Sequence, residues 1–103
     1  IIKGIKKMKP RPDAFFIDCD RSLATLYPVM VREKLITDGK TPLIGCNNQQ
    51  VYLKGIQPHP ATMEVHFGLI GQLGVTQLAW RIRNGLSAQR IRSLISPTLI
   101  ALS

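Results

Sequence analysis

Long apolar runs are missing from this chain of 103 residues. The longest cover only a handful of positions, against the roughly 20 that a bilayer-crossing helix needs, and no basic-then-apolar leader opens the sequence. The expectation is a soluble, cytoplasmic protein. Cysteine is scarce too. Cys19 and Cys46 are too far apart for a CxxC pair, and neither has a histidine or second cysteine at zinc-finger spacing. That argues against a structural zinc site, and both thiols read as reduced side chains at strand ends, with a disulfide as the alternative. Aromatic residues are only 6% of the chain and do not interleave with the cations, as a stacking surface for single-stranded nucleic acid would require. Acidic residues are few: six against fourteen Lys and Arg, a formal net charge of +8. Such a balance suits an anionic partner. Five of the cations lie in the first eleven positions, and Arg81, Arg83, Arg90 and Arg92 form a late cluster. Both groups read as solvated faces, with phosphate contact as the alternative.

What is present is enough for one core. An apolar content of 45% supports a core without disulfides or metals, and a length of 103 residues is that of a single domain over 1–103, which excludes an enzyme with a separate lid domain. The chain opens on Ile1 rather than Met, so it is expected to be a piece of a longer protein.

Ile1, Ile2, Ile5 and Met8 fall at helical spacing among four lysines before Pro10 and Pro12, which predicts a first helix. Ala14 to Ile17 is a short continuous apolar run, the pattern of a strand buried on both faces. It ends in Asp18, Cys19 and Asp20, with Asp20 predicted to cap a helix carrying Leu23, Leu26, Tyr27, Met30 and Val31. Pro28 inside that helix predicts a kink. Asp38 and Gly39 supply a turn, and Thr41 to Cys46 reads as a second strand ending in Asn47 and Asn48. Strand, helix, strand is a βαβ unit, so the two strands should run parallel with their polar tips on one edge. Residues 49–60 read as an ordered loop, 62–66 as an edge strand, 68–85 as a second full helix closed by Asn84 and Gly85, and 91–102 as an edge strand or extended tail. Gly68, Gly71 and Gly74, three apart, predict close helix packing.

Ligands of open α/β sheets bind outside the carboxyl ends of parallel strands, which makes Cys19, Asp20, Asn47 and Asn48, beside Asp18, the candidate contacts for a small polar molecule. The structural alternative is that Asp20 only caps its helix and the asparagines only make a turn. Asp18 and Asp20 share a face of an extended strand, but no lysine or histidine stands at a matching strand tip to work with them. His59 and His66 have no ligand-spaced companion. With no GxSxG, Walker-type or GxGxxG motif either, the reading is of a protein that is not an enzyme and takes no cofactor or metal.

The order of segments RPDAFFIDCDRSLATLYPVM, TPLIGCNN, HPATMEVHFGLIGQLGVTQLAWRI and RIRSLISPTLIALS resembles the C-terminal part of the effector-binding domain of LacI/GalR-type transcription regulators, over nearly the whole chain. Phrases like "pDAif…nD…A", "vvGfDn", "P.lTTi", "lG..A...L" and "P.Lv" each have a counterpart here, in the right order. The resemblance implies an α/β, three-layer Rossmann-like lobe with a mostly parallel sheet, one lobe of a periplasmic-binding-protein type I fold. It further implies a small-molecule effector, often sugar-like, a homodimer, and contact with DNA through a headpiece that precedes such a segment. Cys19 and Asp20 match the family's Asn-Asp pair at the ligand cleft, and Asn47 with Asn48 the Asp-Asn or Asp-Asp pair after the second strand. Cys19 for Asn, Asn47 for Asp, and Val65 where several relatives carry a polar contact point to an effector less polar than an ordinary sugar. Two other classes compete: a lobe of an exported periplasmic solute-binding protein, and a small basic nucleic-acid-binding module.

Overall fold

The computed structural model describes residues 1–36, 40–85 and 89–101. The turn expected at Asp38 and Gly39, and the last residue of the 91–102 segment, lie outside the described residues. Eight elements follow one another: α1 (Ile2–Lys7), β1 (Phe15–Phe16), α2 (Asp20–Arg32), β2 (Leu43–Cys46), α3 (Gln50–Leu53), β3 (Ala61–Glu64), α4 (Phe67–Asn84) and β4 (Thr98–Ile100). The strands form one open sheet in the order β1-β2-β3-β4. β1 pairs parallel with β2, β2 parallel with β3, and β4 antiparallel with β3. The protein is therefore α/β with a mixed, mostly parallel sheet, and the predicted βαβ unit is present. Among the described residues no helix is long and apolar enough to cross a membrane.

Two compact units divide the chain: Ile1–Glu64 with β4, and Val65–Pro97. In the first, Leu23, Met30, Leu35, Leu43, Leu53 and Ile56 are buried together, with Ile2, Ile5, Phe15, Ile17 and Tyr27 packed partly against them. Leu23 and Met30 lie seven residues apart on one face of α2, as helical periodicity requires. Val31, expected on that face, is exposed. α2 runs through Pro28 to Arg32. Pro28 itself is exposed, and the buried Leu23 and Met30 hold the helix on its other side. Ile2 and Ile5 carry the predicted first helix, while Ile1 and Met8 are exposed.

Three expectations need correction. Residues 61–64 form an interior strand rather than an edge, because Thr62 is buried and β4 closes over the other side. The 49–60 loop contains the helical turn α3, anchored by Leu53 in the core. Gly68, Gly71 and Gly74 do not mark close packing, since a Cβ added to any of them meets nothing within 4 Å.

The second unit is α4 and the segment after it. None of the eighteen residues of α4 is buried, and Phe67, Leu69, Ile70, Val75, Leu78 and Ile82 are exposed. The helix ends at Gly85, whose φ of 79° is reached at little cost only by glycine, and whose N–H donates to the Arg81 carbonyl.

α1 is tied to the C-terminus of α2 by an ion pair between Lys6 and Glu33. The hydrogen bond and charge of Lys6 hold the Glu33 carboxyl below its ordinary value of 4.5. A depressed carboxylate stabilises the fold above the unfolded value and loses that contribution as pH falls through the folded one. Below about pH 4.5 the wild type should therefore lose stability relative to a Lys6→Ala variant, and the difference should shrink in high salt. Urea unfolding of both proteins from about pH 2.5 to about pH 7, through the carboxylate range and above it, checks this.

Candidate functional site

Parallel pairing of β1, β2 and β3 brings residues 18–20, 47–48 and 64 to one edge of the sheet, the carboxyl edge. The four candidate residues meet there, but in different roles.

Asp20 has no exposed surface. It is the first residue of α2, and the cap is Cys19, whose Sγ accepts from the Ser22 N–H at 3.4 Å and lies 3.1 Å from the Ser22 hydroxyl. The predicted Asp20 cap is thus displaced by one residue, and the Asp20 side chain turns inward. Its Oδ2 accepts the Gln49 backbone N–H at 2.6 Å, and the Thr62 hydroxyl donates to the carboxylate, 2.8 Å from Oδ1 and 2.9 Å from Oδ2. The Thr62 oxygen in turn accepts the Asn48 N–H at 3.1 Å. Three distant stretches of chain are thereby joined through one carboxylate: the start of α2, the β2–α3 turn and β3. The N-terminal end of α2 adds favourable potential for its negative charge. Gly45, paired with Thr62 in the sheet, leaves the space in which the carboxylate sits. A Cβ at Gly45 would collide with Oδ1, and would lie 3.2 Å from Cγ and 3.4 Å from Cα of Asp20.

Asn47 and Asn48 both have positive φ, 93° and 51°. Asparagine visits this region more readily than other residues with a Cβ, which is why two asparagines suit the end of β2. The reversal aims three successive N–H groups inward: Asn47 to the Met63 carbonyl at 2.8 Å, Asn48 to Thr62 and Gln49 to Asp20. The Asn48 side chain is also occupied, donating to Glu64 Oε2 at 2.9 Å and accepting from Gln50 Nε2 at 2.6 Å. Asn47 differs. Its half-buried side chain makes no hydrogen bond among the described residues, so its amide is open to a ligand.

Asp18 is exposed on the same edge, and beside it an open depression of about 310 Å³ is lined by Arg21, Ser22, Thr25 and Leu26 of α2. Another cavity, about 270 Å³, lies near the amino ends of β2 and β3 among Pro42, Leu43, Pro58, His59 and Pro60. Both cysteines are free. Among the described residues no three of His, Cys, Asp and Glu come together as a metal site would need. Val65, the third departure from the family pattern, is half-buried and opens the second unit.

Three residues that organise this edge were not singled out from the sequence. Thr62 and Glu64 stand two apart on a strand and so share a face, a signal present in the alternation of 62–66. Gly45 inside a short apolar strand signals close approach of another group.

No family model matches the chain, and comparisons with curated proteins and with solved structures find no match.

Thr62→Val keeps the shape and removes the hydroxyl, leaving the Asp20 carboxylate and the Asn48 N–H each short of a partner; the expected loss is about 2–3 kcal/mol. Gly45→Ala should cost about 1–3 kcal/mol by overpacking. In an Asp20→Ala background most of the Gly45→Ala cost should vanish, because the atom it strikes is gone. Urea-unfolding free energies of the four proteins in this cycle give the coupling directly, and additive costs would show that the two residues do not compete for space.

Proposed function

We propose that the chain is the effector-sensing and dimerisation portion of a cytoplasmic LacI/GalR-type transcription regulator, holding a small molecule at the carboxyl edge of β1 and β2. The finer fold in this reading is one three-layer lobe of a periplasmic-binding-protein type I fold. The observation that carries it is the division of labour at that edge. Asp20 and Asn48 are committed to holding the turn, while Asn47, whose backbone is set at the strand tip, has a side-chain amide with no hydrogen bond among the described residues. An unengaged amide at a strand tip can make a directional ligand contact, at the place where open α/β sheets bind their ligands. Cys19 contributes a soft, weakly polar surface to the neighbouring strand tip, which suits a less polar effector than a hexose.

Effector binding works by differential affinity for two arrangements of lobes, which moves the DNA-reading helices of a headpiece. The exposed apolar residues of α4 supply material for pairing two copies through one self-complementary surface.

The test is calorimetry of the protein against hexoses, pentoses and less polar amide- or ring-bearing metabolites, with Asn47→Gly as the comparison. Glycine accepts a φ of 93° without strain, so this variant should keep its unfolding free energy within about 1 kcal/mol while losing about tenfold or more in affinity for the bound compound. Equal affinity in the variant would remove the edge as the binding site. Tight binding of a simple hexose would remove the less polar effector, and a secretory leader upstream in the native gene would favour the exported solute-binding reading.

A further inference from the structure

The unit Val65–Pro97 contains four arginines and no aspartate or glutamate. All six acidic residues of the protein lie elsewhere in the sequence. Beyond the end of α4, residues 89–95 run back alongside the helix, fastened by the Gln77 side-chain amide, which donates to the Ser93 hydroxyl at 2.8 Å. Between this returning segment and the last turns of α4 lies a cavity of about 250 Å³, lined by Trp80, Arg81, Arg90, Ile91, Arg92 and Gln77 among others. Trp80 and Arg81 are half-buried, and among the described residues none of Arg81, Arg90 and Arg92 makes an ion pair.

A solvated arginine face is convex and its side chains spread apart. Here three arginines line one concavity, with a tryptophan in its wall and no carboxylate in the unit to neutralise them. Like charges gathered in a partly desolvated space repel, and a bound anion turns that repulsion into attraction. One carboxylate would be satisfied by a single guanidinium fork, whereas three forks match the several oxygens and double charge of a phosphate monoester. Trp80 and Ile91 offer the flat apolar surface on which a ring attached to that phosphate would rest.

We infer that this cavity binds a small phosphate ester carrying a flat ring, its phosphate on Arg81, Arg90 and Arg92 and its ring against Trp80. The site uses none of the residues of the carboxyl edge and does not depend on what binds there.

Trp80 is the sole tryptophan, so its fluorescence reports on this cavity alone. Adenosine monophosphate added to the full chain should change that fluorescence saturably and bind more tightly than either adenosine or inorganic phosphate, with binding weakened by salt. Arg90→Gln combined with Arg92→Gln, both exposed positions, should weaken it about tenfold or more without lowering the unfolding temperature. Arg11→Gln and Asn47→Gly should leave it unchanged, which separates failure here from failure at the carboxyl edge. The inference is overturned if calorimetry and fluorescence show no saturable binding, if adenosine or inorganic phosphate binds as well as the ester, or if the double arginine variant binds like the wild type. It is equally overturned if a short random single-stranded DNA displaces the ester at lower nucleotide concentration, which would assign these arginines to a nucleic-acid backbone.

Discussion

A carboxylate taken wholly out of water must be met by donors, and among the described residues no cation pairs with Asp20. The donors are the Gln49 N–H, the Thr62 hydroxyl and the positive end of α2. Much of the first unit follows from that requirement. For the Gln49 N–H to point inward, the chain must reverse within two residues of the end of β2. Asn47 and Asn48 therefore take left-handed backbone conformations that other side chains adopt at greater cost. For the carboxylate to reach Thr62, the neighbouring position on β2 must lack a side chain, and it is Gly45. A backbone turn, a strand residue and a glycine are each explained by one buried charge. Such a network is satisfied completely, with no buried side-chain polar atom left unpaired among the described residues.

The order of elements was legible because periodicity and turn chemistry agree along most of the first sixty residues. The apolar runs at 14–17 and 41–46, with a helix-spaced pattern between them, could hardly form anything but a parallel pair. The return of β4 beside β3 was beyond local pattern. It pairs residues far apart in sequence, Thr62 with Ile100, Met63 with Leu99 and Glu64 with Thr98, and nothing in a window of neighbours records such a partner. The strand tips that carry Cys19, Asp20, Asn47 and Asn48 share one edge, as the βαβ reading predicts, since topology alone brings strand ends together. Their division into structural and open side chains was not legible. Asp20 and Asn47 are both polar residues after a strand, and only three-dimensional packing turns one inward and leaves the other free.

The second unit shows a different economy. Ile1–Glu64 holds every acidic residue of the protein and the whole of its buried core, whereas Val65–Pro97 is cationic, with none of the residues of α4 buried. A helix of eighteen residues with six large apolar side chains exposed does not owe its stability to burial within this chain. Local contacts that hold it are the Gly85 terminus and the Gln77–Ser93 hydrogen bond, set against a modest helix propensity. Glycines at 68, 71 and 74 lower that propensity and also leave a shallow surface, so the helix combines weak local preference with a face that has room for close approach.

At the carboxyl edge the side chains that hold the turn are not the ones left unengaged, and under the proposed reading this limits what the edge can bind. A sugar ring presents several hydroxyls, each wanting a donor or acceptor of its own when buried. Asp20 and the Asn48 side chain are already occupied, and the Cys19 sulfur is engaged with Ser22. What remains is one amide at Asn47, an exposed carboxylate at Asp18 and a thiol surface of low polarity. Buried hydroxyls without partners cost about 1–3 kcal/mol each, so two or three unmet hydroxyls would erase the binding energy of a hexose. A ligand with one amide-like group and an apolar remainder meets no such penalty, and under the proposed reading its directional contact falls on the Asn47 amide.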